Sequence, residues 1–262
     1  MSINLLTYNN LNEHSDKIAH FSSTRMGGVS TEVFDSLNLG IYTTDNPANI
    51  ERNREILATK LAISSKQIFN AHQVHGTAVK LVDNTLIKLS STERKKALEG
   101  YDAFISNIPR VCITVTTADC APILLFDPKN KAVGAIHSGW KSTLHNITKE
   151  TISKMHQQFG TQARDLIAAI GPCISKAVYE VGEDMYSEFQ NRGFDMKHLF
   201  TAKENGKYLF DIRETVRLQL IEAGVSNIEV SSYCTFLDEE LFFSARRQGT
   251  NSGRMLSGIL LQ

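Results

Sequence analysis

The chain has no surplus of charge: 28 Lys and Arg balance 28 Asp and Glu over 262 residues. Proteins that track nucleic-acid phosphates or an anionic membrane surface carry a basic excess. Neither partner is therefore expected, and small-molecule chemistry becomes the default. Long apolar runs are also missing, and no stretch approaches the length of a membrane span. The opening segment from Met1 to Lys17 lacks the basic start, apolar run and small-residue cleavage site of an export signal. The four cysteines (Cys112, Cys120, Cys173, Cys234) include no Cys-x-x-Cys pair. That argues against a disulfide framework and suits reduced thiols in the cytoplasm. The five prolines are scattered, and no Pro/Ser-rich linker or internal repeat interrupts the chain, so residues 1–262 are expected to form a single domain.

What is present is a β-rich centre flanked by helical patterns. Ile18 to Phe21 reads as a strand running into a polar loop, Ser22 to Gly28. Asn46-Pro47 has cap and first-turn chemistry for a helix to about Ala62. Short strands are expected near 67–74 and 78–82, and the charged segment 84–98 as a surface helix or excursion. Tyr101–Ser106 and Val111–Thr117 are apolar runs that suit strands buried on both faces. From Thr143 the apolar residues recur at helical spacing up to Gly160, a helix stop. Leu166–Ile170 reads as a strand, and Gly171-Pro172-Cys173-Ile174 as a sharp break before a helix ending near Gly193. Lys207–Phe210 is a further strand, Asp211 to Glu214 has cap spacing for a helix closed by Gly224, and strands at Ile228–Tyr233 and Met255–Leu261 complete the pattern.

The segment from Cys120 to His137 carries the chemistry. Ala121–Asp127 and Ala132–Ile136 are β-prone and Asp127-Pro128-Lys129-Asn130 has turn residues, which predicts a hairpin. Centring the turn on Asp127–Asn130 sets Cys120 opposite His137, where Cβ atoms lie about 4.5–5.5 Å apart. A third ligand could come from His72 or His75, which a strand would send to opposite faces, so that only one joins the site. Two imidazoles and a thiolate suit a catalytic zinc, because three protein ligands leave a position for water or substrate, and zinc lowers the pKa of such a water to about 7. The same atoms also suit a cysteine hydrolase, with Cys120 as nucleophile, His137 as base and Asp119 as a candidate orienter. Regular strand alternation puts Asp119 on the face away from Cys120, which weakens that role. A non-catalytic zinc-stabilised interaction module is the third class. Arg25, in Ser23-Thr-Arg-Met-Gly-Gly28, is a candidate anion contact, and Arg246 and Arg247 with Arg254 form a second cationic cluster near a turn, which taken alone reads as a solvated surface.

Taken in order, six motifs resemble one family: Gln73-Val-His-Gly76, Thr117-Ala-Asp-Cys-Ala-Pro122, His137-Ser-Gly-Trp140, Gly171-Pro-Cys-Ile174, Cys234-Thr235, and Phe243-Ser-Ala-Arg-Arg247 with Ser252-Gly-Arg254. The family is that of the YfiH/YlmD, laccase-domain or DUF152 proteins, related to human FAMIN, and the resemblance runs from Ser22 to the C-terminus. It implies an α/β (α+β) single-domain layered sandwich of mixed β-sheets flanked by helices. It also implies a zinc on His75, Cys120 and His137, which selects His75 over His72 and makes this trio the catalytic centre. The implied activity is phosphorolysis of adenosine, inosine and methylthioadenosine, with adenosine deamination. Arg25 is the first choice for phosphate, with Arg246 or Arg247 second. The implied partners are purine nucleosides and phosphate, with the chain a monomer or weak homodimer in the cytoplasm.

Older labels for the family name a copper-dependent polyphenol oxidase. A blue copper plus trinuclear centre draws on many imidazoles, commonly in His-x-His pairs, whereas this chain has eight His and no such pair. Copper remains an alternative occupant of the single site, since it outcompetes zinc for such ligands. Two departures, Ser138 and Lys141 in place of the family's Ala and Arg, and Ala245 where an aromatic is common, bear on substrate preference. The zinc deaminase signature His-x-Glu with Pro-Cys-x-x-Cys is absent.

Overall fold

The structure, a computed structural model, describes residues 3–262; Met1 and Ser2, the start of the segment read for an export signal, lie outside the described residues. Two large mixed sheets are stacked face to face. The first runs, in spatial order, Leu5–Leu6, Ile18–Ser23, Met255–Leu261, Cys112–Thr117 and Ile68–Phe69. The second runs Asn227–Val230, Ile167–Ile170, Ala121–Asp127, Ala132–Ser138, Ala103–Ser106 and Val79–Leu81. A small third sheet joins Glu180–Val181, Tyr208–Phe210 and Phe200–Ala202.

The strands are apolar on both faces because both faces are covered. Along Ala121–Asp127, Leu124 and Phe126 point into the layer between the sheets, where they meet Phe69, Ile113, Val115 and Ile259. Ile123 and Leu125 point the other way, into the layer under the helices Ile147–Phe159, Glu183–Asn191 and Ile212–Glu222. The outer face of the first sheet packs Phe21, Leu256 and Leu260 against Leu57 of the helix Pro47–Lys60. Each such side chain contributes about 1.5–3 kcal/mol on burial. The expected sandwich of mixed sheets flanked by helices is what forms. No helix among the described residues is long and apolar enough to cross a membrane.

Local signals placed most elements. Asn46 caps the helix that follows by accepting from the Ala48 N–H at 2.9 Å, Asp211 does the same for Glu214 at 3.0 Å, and Gly160 ends its helix at φ 75°. Segment 84–98 resolves into two short helices, Asn84–Ile87 and Ser91–Ala97, the second begun by a capping box between Ser90 and Glu93. Three expectations change. The strand near 67–74 is only Ile68–Phe69. The helix after Ile174 is delayed to Glu183–Asn191, because Ser175–Tyr179 turns and Glu180–Val181 pairs with Tyr208–Leu209. In the central hairpin, Lys131 enters the left-handed region at φ 49° and joins the loop. The register shifts by two, pairing His137 with Pro122 instead of Cys120.

His20, 6% exposed, accepts the Tyr8 N–H on Nε2 at 2.9 Å. Burial lowers its pKa from 6.5 to about 4. The unfolded chain therefore binds a proton that the fold refuses, so stability is full above pH 6.5 and falls as pH drops towards 4. The loss amounts to about 3 kcal/mol. His20→Gln, which keeps an acceptor near Nε2, is expected to flatten this part of the profile, as read by urea midpoints at several pH values. An unchanged slope would refute the assignment.

Candidate metal centre

Asp102 stands immediately before the strand Ala103–Ser106, and the ladder that pairs Ala103 with Ile136 brings it beside His137. The His137 N–H donates to the Asp102 carbonyl at 2.7 Å, and its ring Nδ1 meets Asp102 Oδ1 at 2.7 Å. The same carboxylate collects three successive backbone N–H groups, from Val74 at 3.1 Å, His75 at 2.9 Å and Gly76 at 2.8 Å. This anion nest bends residues 74–76 into a tight loop with His75 at φ 59°. One fully buried side chain thus orients both histidines. Burial alone would raise its pKa, but the His137 ring and the N–H groups of Gly76 and Val74 hold it below the ordinary value.

With Nδ1 engaged, His137 presents Nε2 to the site. The ligand atoms of His75, Cys120 and His137 lie within 4.8 Å of one another, His75 Nε2 sits 3.7 Å from Cys120 Sγ, and the two imidazoles meet edge to face at 4.8 Å. A tetrahedral zinc sets its N and S donors about 3.3–3.6 Å apart, so the donor set and its spacing fit a metal ion. Burial opposes ionisation of Cys120, but the charge and hydrogen bond of His137, and then those of His75, outweigh it and bring the thiol down to about 6. Burial likewise works against the His137 imidazolium, yet the Cys120 thiolate and Asp102 raise its pKa. Gly139 makes room for the trio: a Cβ there would meet His75 Cδ2 at 2.4 Å and Cys120 Sγ at 3.3 Å.

Asp119, at φ 89°, turns the chain just before Cys120. It is not the orienter of His137; Asp102 is. Its carboxylate instead accepts from Thr235 Oγ1 at 2.6 Å, Ser244 Oγ at 3.0 Å and the Arg246 N–H at 2.7 Å. Gln73 anchors the other side, exchanging bonds of 2.8 Å with the backbone of Thr116.

The trio opens on a cavity of about 590 Å³, walled also by Tyr42, His72, Thr116 and Arg254. The cations expected to contact phosphate are placed elsewhere. Arg25 donates to the carbonyls of Asp35 and Glu239 and lines a separate cleft with Glu239 and Glu240. Arg246 reaches the Glu180 carbonyl and lies over the Tyr179 ring. Arg247 spans the carbonyls of Thr235, Phe236 and Phe242. Arg254 lines the cavity, with its guanidinium donating to the carbonyls of Thr250, Ser252 and Gly253. Reading from sequence did not single out Asp102, which carries no local motif, and ranked Arg254 behind its neighbours.

The profile of the family described as "Multi-copper polyphenol oxidoreductase laccase" matches residues 19–262. The chain is 38% identical over 260 residues to a Bacteroides thetaiotaomicron protein named purine nucleoside phosphorylase, covering 98% of this chain and 96% of that one. It is 34% identical over 242 residues to adenosine deaminase RL5, from an unknown prokaryotic organism, covering 91% and 92%. A crystal structure of Bacillus licheniformis YfiH superposes with a TM-score of 0.90 at 28% identity, covering 98% of this chain and 96% of that one. Fold and site thus define a layered mixed-sheet protein with three side chains that could hold a metal ion at the wall of a cavity. The chain belongs to the laccase-domain family of the YfiH and YlmD proteins.

Asp102→Ala is expected to leave the nest and His137 without their acceptor and to weaken zinc binding by about 10- to 100-fold. Competition of the purified protein with a chromogenic chelator measures this. Unchanged affinity would remove Asp102 from the account of the site.

Proposed function

We propose that the chain is a purine nucleoside phosphorylase acting on adenosine, inosine and methylthioadenosine, that it also deaminates adenosine, and that it works at zinc held by His75, Cys120 and His137. The observation that carries this reading is the His/Cys/His cluster at the wall of the cavity. Its volume of about 590 Å³ falls in the range of small-molecule sites. The names of the phosphorylase and deaminase relatives support the substrate class. Among the described residues this is the one cluster of three or more metal-ligating side chains, which does not support a blue-plus-trinuclear copper centre, although copper in the single site stays compatible with its ligands.

In phosphorolysis a phosphate oxygen forms a bond to C1′ as the bond from C1′ to the purine nitrogen breaks, and the departing base needs its charge neutralised. Arg254 offers positive charge to the phosphate. Asp102 keeps the His137 ring from turning, and the Gln73–Thr116 and Asp119 anchors hold the loops that carry His75 and Cys120. Zinc, when bound, supplies a Lewis acid with a fourth position for water or a substrate atom. A cytoplasmic setting belongs to this reading, supported by four free cysteines, as does the single-domain organisation, supported by ligands drawn from distant segments meeting at one cavity.

A second reading rests on the chain Asp102–His137–Cys120, which matches the carboxylate–imidazole–thiol order of a cysteine hydrolase. Chromatography of metal-quantified protein with adenosine separates the two. With phosphate, adenine is expected, and without it, inosine. Cys120→Ala is expected to lose both the metal and at least about 1,000-fold in turnover. Wild-type protein stripped of metal but fully active would overturn the metal reading and favour the cysteine nucleophile.

A further inference from the structure

Beside the metal trio, the cavity is walled by an aromatic pair that neither the ligand set nor the core explains. Tyr42 is 38% exposed and belongs to none of the core clusters. Its ring lies 4.6 Å from that of His72 at an interplanar angle of 38°, and both residues line the cavity. The pair is held in place from behind. His72 Nδ1 is hydrogen-bonded to Glu99, and its backbone is bridged to the same segment, with the Gly100 N–H donating to the His72 carbonyl at 3.0 Å.

The loop bearing Tyr42 is fixed as firmly. Asn38 Nδ2 donates to Thr43 Oγ1 at 2.9 Å, Thr43 Oγ1 donates to the Gly40 carbonyl at 2.8 Å, and Thr44 is hydrogen-bonded to Asn251. Gly40 packs so closely on Arg254 that a Cβ would meet its Cγ at 2.8 Å. The cavity wall therefore carries an anchored aromatic pair, with Lys95 Nζ 5.8 Å from the Tyr42 ring centroid, beside a guanidinium and three metal-ligating side chains.

We propose that Tyr42 and His72 form the platform on which the planar purine base of the substrate stacks, with Glu99 positioning the His72 ring. The proposal rests on the nucleoside reading above and deepens it, assigning recognition of the base to a pair distinct from the groups that bind metal or phosphate. A flat aromatic ligand suits this wall because stacking needs a π-face and little else, and an anchored ring loses little freedom on binding.

The test is steady-state kinetics at saturating phosphate with adenosine varied, for wild type, Tyr42→Ala and Tyr42→Phe, with metal content measured on each. Tyr42→Ala is expected to raise KM about tenfold with kcat held within about twofold and metal content unchanged, while Tyr42→Phe stays close to wild type. An unchanged KM in Tyr42→Ala, or a loss of metal alongside activity, overturns the platform and leaves the nucleoside reading standing. A wild type that turns over no adenosine overturns that reading and the platform with it.

Discussion

A carboxylate sealed from water costs several kcal/mol unless donors surround it, and the arrangement of this site follows from how Asp102 meets that requirement. Its own segment supplies none of the donors to that carboxylate. They come from the 74–76 loop, which must coil to present three N–H groups, and from His137, which must turn Nδ1 towards the carboxylate. Satisfying one buried charge therefore also points His75 and His137 at Cys120. The left-handed backbone at His75, unfavourable for a residue with a side chain, is sustained by those bonds. The orientation of the three side chains is thus a consequence of folding itself.

A second buried acid, Asp119, works from the opposite side of Cys120. It gathers donors from Thr235, Ser244 and Arg246, and its carbonyl accepts the Ile174 N–H at 2.9 Å. Motifs far apart in the chain are thereby drawn onto one turn. Cys173 and Cys234, whose backbones bridge to one another, belong to this same gathering, with both thiols buried and outside the metal trio. The arginines read from sequence as phosphate contacts contribute here too. Arg247 closes three carbonyls that would otherwise be unpaired, so its charge stabilises the loop from Thr235 to Phe242.

How much of this was legible follows from the range of each interaction. Alternating apolar strands and capped helices are set by neighbours in sequence, and Met255–Leu261 and the helix caps at Asn46 and Asp211 lie where local pattern puts them. The expected hairpin register differs from the observed one by two residues because nothing about a lysine signals the left-handed backbone at Lys131, while the Asp127 side chain ties the N–H groups of Lys129 and Asn130 into the turn at 3.0 Å each. A slip by an even number leaves every side chain on its face. Cys120 and His137 accordingly still meet, diagonally across Pro122. The local pattern sets His75 on a strand and carries no sign of Asp102, since the bond between them spans 27 residues and neither neighbourhood announces it. The surroundings of the cations are hidden for a related reason: which carbonyls a guanidinium meets depends on contacts no local window contains.

The position of the trio also limits what the site can become. Cys120 immediately precedes the strand Ala121–Asp127, His137 is the penultimate residue of Ala132–Ser138, and His75 comes from a loop. None of the three sits mid-strand, because the strand interiors are committed on both faces to apolar layers. Adding imidazoles to build a larger metal assembly would mean burying polar rings within those layers, at a cost of several kcal/mol each without partners. A small, open ligand set at the rim is what a doubly covered sheet can accommodate, and its neighbour is the cavity. The cluster and the cavity beside it are therefore consequences of the same constraint: polar side chains gather at the edge of a core that has no room for them inside.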